Sequence, residues 1–306
     1  MRKLSSGTFS RPQSLICCRA LLALALLLAA CKSAPVPPPV PQEVEVRQPP
    51  PLVLSPPSLV FDSIQAENPN DLTLFFNLGI ENPFPAAGQL KIESWQVEIN
   101  GQTAHSGFSL EGAENSFFIE SETSALFPLT LNMDVPALIA ANLAPADDYE
   151  IKLTTALNFS GERIQVSGLA AFPGVRPPVF SIIDIAIIKA ELINTRFRVG
   201  MTIDNPNPFP LVLSSFGYEL YGNGRFWADG IERNNIQIPA KSSVEGNLLL
   251  LMNFMGMRRT LLDQIINLVD VNYRFTGEAQ VSTGIDYLPT FVTRFELSGF
   301  SQVLEE

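Results

Sequence analysis

The sequence is poor in the side chains that most metal sites and many active sites require. Its 306 residues include one histidine and three cysteines, which leaves few ligands for a transition metal and little imidazole chemistry. His105 has no second histidine or nearby cysteine, no Gly-x-Ser-x-Gly segment brackets a serine, and no Asp-x-Asp-x-Asp-Gly run is present. The sequence therefore predicts no catalytic residue, no metal site and no cofactor.

Positive charge is also scarce. The chain has 20 Lys and Arg against 31 Asp and Glu, and its net charge is −11. Because four basic residues and no acids lie in positions 1–30, the remaining chain carries a net charge of −15. Phosphate backbones repel such a polyanion, so we expect no nucleic-acid partner. The acid pairs Asp147-Asp148 and Glu305-Glu306 lie in turn and tail contexts, which indicates solubilising charge.

The N-terminal segment is typical of a secretion signal. A basic stretch precedes an apolar run over Ala20–Ala30, which at about 11 residues is too short to span a bilayer. Leu28-Ala29-Ala30-Cys31 resembles a bacterial lipobox, in which the cysteine is lipidated and becomes the first residue. We expect residues 1–30 to be removed and Cys31 to carry diacylglycerol and palmitate, so that lipid attaches the chain to a membrane.

Two further expectations follow from this processing. Cys17 and Cys18 would leave with residues 1–30, so the mature chain would form no internal disulfide. Lys32, rather than an aspartate, follows the lipidated cysteine, which by analogy with enterobacterial sorting favours the outer membrane over the inner one. The sequence thus predicts a lipid-anchored protein of the bacterial cell envelope.

Residues 31–57 form a predicted tether. Ten of the 26 residues from Lys32 to Pro57 are proline, and no apolar periodicity is present. Proline-rich chain favours extended polyproline II at about 3.1 Å per residue, so this segment could hold a domain roughly 80 Å from the lipid. A ligand for a proline-recognition domain is the alternative interpretation.

The rest of the chain repeats one pattern twice. Apolar residues alternate with polar ones over Leu72–Ile80 and again over Phe197–Ile203, 123 positions later, as in half-buried strands. Further downstream Ser94–Gly101 aligns with Ser215–Gly222 at an offset of 121, and Gly222-Asn223-Gly224 is typical of a hairpin turn.

Short strands separated by turns rich in Gly, Pro and Asn favour β-sandwiches of roughly seven strands. We therefore predict an all-β protein of two tandem immunoglobulin/fibronectin-like β-sandwiches, at residues 58–175 and 176–306. Each is expected to contain a short helical insertion, at 137–144 in the first and at 254–269 in the second, where apolar residues recur at steps of three and four.

Both alternating strands run into an Asn-Pro segment. The second copy reads Asn205-Pro206-Asn207-Pro208-Phe209, and the first reads Asn82-Pro83-Phe84. Asparagine before proline favours extended geometry, and its side chain can close an Asx-turn, so these residues are predicted to end a strand and start a loop. A functional loop surface is the alternative. Phe84 and Phe209 would pack the loop onto the rim of the sandwich.

These residues resemble the WHy (water stress and hypersensitive response) domain, or late embryogenesis abundant type 2 family, whose mark is Asn-Pro-Asn after an apolar strand. The second copy has the motif intact, and the first has Phe84 in place of the second asparagine. The resemblance implies a folded, non-enzymatic protein associated with desiccation and other stress.

We expect such a protein to act through contact with client proteins or the membrane surface. The alternative is an envelope docking or assembly module that binds one specific protein partner.

Overall fold

Strands form where the sequence alternates between apolar and polar residues. A computed structural model describes residues 53–114, 116–189, 194–253 and 270–305. Leu74, Phe76 and Leu78 are fully buried in one strand, and Phe197, Val199 and Ile203 are fully buried in another. These side chains project from one face of each strand, so that face is covered by a second sheet. The alternation in the sequence is confirmed at both places.

The described residues form two sandwich-like bodies, each filled by its own hydrophobic core. The first body consists of β1 (Ser58–Asn68), β2 (Asp71–Asn82), β3 (Gly88–Ile99), β4 (Gln102–Ala104), β5 (Phe108–Glu111), β6 (Ser116–Ile119), β7 (Thr123–Asp134), α1 (Val135–Ala140), β8 (Asp148–Phe159) and β9 (Glu162–Pro173). The second consists of β10 (Val179–Lys189), β11 (Asn194–Asp204), β12 (Leu211–Gly222), β13 (Arg225–Glu232), β14 (Ile236–Ile238), β15 (Ser243–Asn253), β16 (Asp270–Ile285) and β17 (Leu288–Glu305).

The strands that have a counterpart in the other body pair in the same order in both bodies. In the first, one sheet has the order β1-β2-β7-β5, and the other has the order β4-β3-β8-β9 with β6 beside β3. In the second, β10-β11-β15 faces β13-β12-β16-β17 with β14 beside β12, and the end of β17 pairs in parallel with β10. The all-β sandwich class is therefore confirmed, although each body has more described strands than the seven expected. The domain boundaries at 58–175 and 176–306 stay predictions.

One helix lies in the described part of the chain. Asp134 caps α1 by accepting a hydrogen bond from the Ala137 N–H at 3.0 Å. The helix ends at Ala140, earlier than the predicted Ala144, because Asn142 turns into the left-handed region at φ 59°. The predicted helix at 254–269 lies outside the described residues. Within those ranges, no helix has the length and apolar character needed to cross a bilayer.

The alignment at offset 121 is wrong at the hairpin turns. Both β3 and β12 contain a bulge, but the turn residues are Asn100-Gly101 in the first body and Asn223-Gly224 in the second, 123 positions apart. All four have positive φ, as type I′ turns require. Gly222 instead pairs with Arg225 inside the hairpin, and because β3 and β12 are both 12 residues long, they correspond at an offset of 123 along their whole length. The predicted hairpin turn at Asn223-Gly224 is confirmed.

Candidate functional site

The first Asn-Pro corner lies where β2 ends. The Asn82 side chain is fully buried, and its Nδ2 donates to the carbonyl oxygens of Ala86 at 2.9 Å, Glu120 at 3.0 Å and Ile119 at 3.2 Å. Its Oδ1 accepts the Phe84 N–H at 3.1 Å, which is the Asx-turn predicted from the sequence. One side chain thus connects the end of β2, its own loop and the end of β6.

The second corner repeats this arrangement after β11. The Asn205 side chain is 2% exposed, and its Nδ2 donates to the carbonyl oxygens of Phe209 at 2.7 Å, Pro239 at 3.0 Å and Ile238 at 3.2 Å. Its Oδ1 accepts the Asn207 N–H at 2.9 Å. The second body therefore closes the same corner with the same side chain.

These contacts explain why asparagine is suited to the position. An amide nitrogen has two protons, so in each corner three carbonyls share two N–H groups while the amide oxygen serves one backbone N–H. Aspartate would present only acceptors to the three carbonyls, and alanine would leave buried carbonyls unpaired. The geometry assigns Asn82 and Asn205 to holding loops in place.

The remaining motif residues lie around these corners. Phe84 and Phe209 are half-buried and pack against the cores of their own bodies. Pro83 and Pro206 are half-buried, and Pro208 is exposed. The motif phenylalanines and prolines of each copy therefore lie at the corner of their own sandwich.

Asn207 differs from the other asparagines because it binds a segment outside its own sandwich. It is fully buried, its Oδ1 accepts the Arg176 N–H at 2.7 Å, and its Nδ2 donates to the Arg176 carbonyl at 2.8 Å. Nδ2 also donates to Asn205 Oδ1 at 2.9 Å. Arg176 lies in the connection between β9 and β10. The second asparagine of Asn-Pro-Asn therefore holds the chain that enters the second body.

Asp147 corrects one expectation from the sequence. It was expected to be solubilising charge, but its carboxylate accepts hydrogen bonds from Lys241 Nζ at 2.7 Å and from the Arg176 guanidinium. The hydrogen bond from Lys241, with the positive charges of Lys241 and Arg176, holds the pKa of Asp147 below its ordinary value, against a smaller opposing effect of burial. Sequence reasoning missed this carboxylate because its partners are 29 and 94 positions away.

The other candidate residues from the sequence contribute no common site. His105 is exposed in the turn between β4 and β5. Cys31 lies outside the described residues. Among the residues that the structure describes, no three His, Cys, Asp or Glu side chains are grouped closely enough to hold a metal ion.

Fold and corners together define a class: an all-β protein of two sandwich-like bodies, each closed by a buried asparagine after an apolar strand. Residues 201–290, which contain Asn205-Pro206-Asn207 and most of the second body, match the family model described as "Late embryogenesis abundant protein" (LEA_2). The match covers less than a third of the chain. The second body therefore holds one domain of this type.

Several solved structures resemble the chain at low sequence identity. No curated protein matches the chain. A crystal structure of a protein from Archaeoglobus fulgidus is 18% identical, with 42% of this chain and 97% of that chain covered and a TM-score of 0.28. A calcium-binding mutant of Bacteroides uniformis beta-glucuronidase 2 is 12% identical, with 74% and 26% covered and a TM-score of 0.22. The Pseudomonas aeruginosa CupB2 chaperone is 13% identical, with 80% and 100% covered and a TM-score of 0.20.

Proposed function

We propose that this protein is a non-enzymatic, lipid-anchored protein of the bacterial cell envelope that protects other macromolecules during water stress. The observation that carries the proposal is the late embryogenesis abundant domain at residues 201–290, with Asn205-Pro206-Asn207 at its first corner. We extend the same family assignment to the first body, because its Asn82 makes the same set of hydrogen bonds as Asn205.

Protection would come from the outer surface, because the motif asparagines are buried and already bonded within the fold. Without residues 1–30 the chain carries a net charge of −15, and acids on the surfaces of both bodies contribute to it. A hydrated anionic protein keeps partly unfolded neighbours apart by charge repulsion as water is withdrawn. The exposed acids include Glu81, Glu120, Glu122, Glu150 and Glu162 in the first body and Asp229, Glu245, Glu278 and Glu296 in the second.

Attachment through Cys31 would place this surface at the membrane. The Leu28-Ala29-Ala30-Cys31 segment supports lipidation, and Lys32 favours the outer membrane. Residues 32–57 would then act as a proline-rich spacer between the lipid and the first sandwich. Labelling cells with a lipid precursor tests this part directly. The wild-type protein should be labelled, and labelling that survives Cys31→Ala would rule out the assigned site.

A survival assay tests the function itself. A deletion strain should survive drying less well than its parent, and the wild-type gene should restore survival. Complementation with the Cys31→Ala protein tests whether the anchor is needed for protection. Restored survival would show that protection does not require lipid attachment, and survival that stays low would show that it does. Equal survival of the deletion strain and its parent would contradict the proposed function.

Docking to one envelope partner is the second candidate function. Phe118 and Leu126 favour it, because they are 74% and 72% exposed on the first body. These edge strands of the described sheets are less suited to docking. The edge strands β4 and β5 have only three and four residues, and the edge strands β13 and β15 contact each other, so they offer little free backbone to a partner strand. Crosslinking in unstressed cells separates the two functions. One stoichiometric partner would support docking, whereas a diffuse set of clients would support protection.

A further inference from the structure

The connection between the two bodies is short and closely packed against the first body. Five residues, 174–178, join β9 to β10. The Gly174 N–H donates to the Asp147 carbonyl at 2.7 Å, and a Cβ at Gly174 would lie 2.3 Å from the Ala146 carbonyl oxygen. Only glycine permits this approach, because any side chain would displace the backbone at Ala146. The connection is thus fixed where it leaves β9.

Arg176 is held from both sides. Asn207 of the second body binds its backbone N–H and carbonyl, as a paired strand would. The Arg176 guanidinium reaches the Asp147 carboxylate of the first body and the Pro206 carbonyl of the second. The middle residue of the connection is therefore bonded to both sandwiches at once.

Lys241 adds a direct contact between the bodies. It lies in the turn between β14 and β15, and its Nζ donates to Asp147 Oδ1 at 2.7 Å and to the Pro206 carbonyl at 2.9 Å. An isolated exposed ion pair contributes little, but here the Lys241 and Arg176 cations both donate to Asp147 Oδ1 and both donate to the Pro206 carbonyl. This network fixes the loop before β8 against the corner after β11.

Tyr287 makes a separate contact between the bodies. It lies in the tight turn between β16 and β17, and its ring packs against both hydrophobic cores. Its hydroxyl donates to the Pro173 carbonyl at the end of β9, and its ring meets that of Phe172 edge-on at 5.8 Å. Burial raises the pKa of this phenol, with a smaller contribution from Tyr149. The second body thus inserts an aromatic side chain into the first.

The geometry points to an interdomain joint, formed by Asp147, Arg176, Asn207, Lys241 and Tyr287, that holds the two sandwiches as one rigid unit. Domains joined by a linker move independently unless their interface is substantial. The joint supplies hydrogen bonds, ion pairs and an aromatic contact around a five-residue connection. The second asparagine of Asn-Pro-Asn belongs to this joint, whereas the first belongs to the fold of its own sandwich.

The first copy supports this division of roles. Glu122 of the first body and Lys241 of the second occupy matching left-handed turns, at φ 53° and 50°. Their N–H groups donate to the carbonyls of the matching residues Phe84 and Asn207, at 3.2 and 2.9 Å. The first copy therefore keeps the backbone turn and the first asparagine, but lacks the amide and the cation that make the joint. The Asn207 amide and the Lys241 cation occur only in the copy that follows another sandwich, since Phe84 and Glu122 occupy the matching positions of the first copy.

A distance measurement between two spin labels tests the joint. The full chain, with its three native cysteines changed to serine, would carry labels at Gln89→Cys in the first body and Glu245→Cys in the second, both exposed. The rigid joint predicts one narrow distance distribution. A variant with Asn207→Ala, Asp147→Asn and Tyr287→Phe should broaden it about twofold or more, because freely linked domains reorient independently.

Two comparisons keep the test decisive. Asn158→Ala removes bonds to Gly161 and Glu93 inside the first body and should leave the distribution narrow. If the triple variant fails to fold, as judged by circular dichroism, Lys241→Gln with Tyr287→Phe replaces it, since both changes spare the corner asparagines. A broad distribution in the parent, or a narrow one in a folded joint variant, would overturn the proposal, whatever the outcome of the drying experiments.

Discussion

Asn82 and Asn205 lie 123 positions apart and bind equivalent atoms in their two sandwiches. Each donates to the carbonyl four residues ahead, and each donates to two consecutive carbonyls at the end of a neighbouring short strand. Because both side chains are buried, water cannot replace them. One kind of side chain therefore closes the same corner in both bodies.

Replacing Asn205 by alanine should destabilise the second body. The change leaves three carbonyls and one N–H without their partner in a buried corner, and we expect the free energy of unfolding to fall by about 2–4 kcal/mol. Denaturant unfolding of the purified protein measures this. Asn158→Ala, which removes partly exposed bonds, should cost about 1 kcal/mol or less. Equal losses in the two variants would contradict the assigned role of Asn205.

The same Asn205→Ala variant also separates fold from function. If Asn205 acts only within the fold, protection of a drying-sensitive enzyme should be unchanged when it is expressed per folded molecule. Protection would be compared at a temperature where the variant is still folded, which circular dichroism establishes. Full stability combined with lost protection would instead assign the corner to ligand or client binding.

The sequence was sufficient for features that depend on nearby residues. Alternation over Leu72–Ile80 predicted the buried face of a strand, and Asn82-Pro83 predicted its end and the Asx-turn. The partners of these residues could not be predicted, because Asn82 binds carbonyls 37 and 38 positions later. Such partners depend on how strands pair across the sheet. No local pattern in the sequence encodes that pairing.

The interdomain joint could not be predicted from the sequence, for the same reason. Tyr287 reaches a carbonyl 114 positions away, and Asp147 meets Lys241 across 94 positions. The one available signal was the loss of the second asparagine in the first copy, where Phe84 stands. The misplaced alignment at Gly222 also has a local cause, because Ser215 and Gly222 resemble Ser94 and Gly101 in type, whereas β3 and β12 correspond along their whole length at an offset of 123.

Gly277 lies beneath the ring of Phe295 on the neighbouring strand, and this close packing leads to a prediction. A Cβ at Gly277 would lie 2.2 Å from the Phe295 ring and 3.0 Å from the Gly217 carbonyl. Gly277→Ala should therefore lower the free energy of unfolding by about 1–3 kcal/mol. Gly246→Ala is the matched control, since its Cβ would meet only Met201 at 3.9 Å. A smaller loss for Gly277→Ala than for Gly246→Ala would contradict this packing.

Tyr287 predicts how stability changes in alkaline solution. Its folded-state pKa is raised, chiefly by burial, so the neutral phenol stabilises the fold below the ordinary pKa of 10.0. This contribution should be lost as the pH rises from that value towards the folded-state pKa. Thermal unfolding from pH 8 to 11 should show a smaller loss of Tm in Tyr287→Phe than in the wild type. Parallel curves for the two proteins would contradict the assignment.

Asp147 predicts the opposite dependence in acid. Because its pKa is lowered, chiefly by the hydrogen bond from Lys241, its stabilising contribution is present above the ordinary value of 3.8 and is lost as the pH falls through the folded-state pKa. Asp147→Asn should therefore have a lower Tm than the wild type at pH 7 and a similar Tm in strong acid. A difference that persists unchanged in strong acid would show that the carboxylate charge is not its cause.

Protection by a folded anionic surface is the central claim, and drying a sensitive enzyme beside the purified protein tests it most directly. The enzyme's activity after rehydration would be compared with a sample dried beside an inert folded protein of equal mass and a net charge near zero. The account predicts more recovered activity with this protein at every ratio below saturation. Recovery equal to that with the inert protein would contradict it.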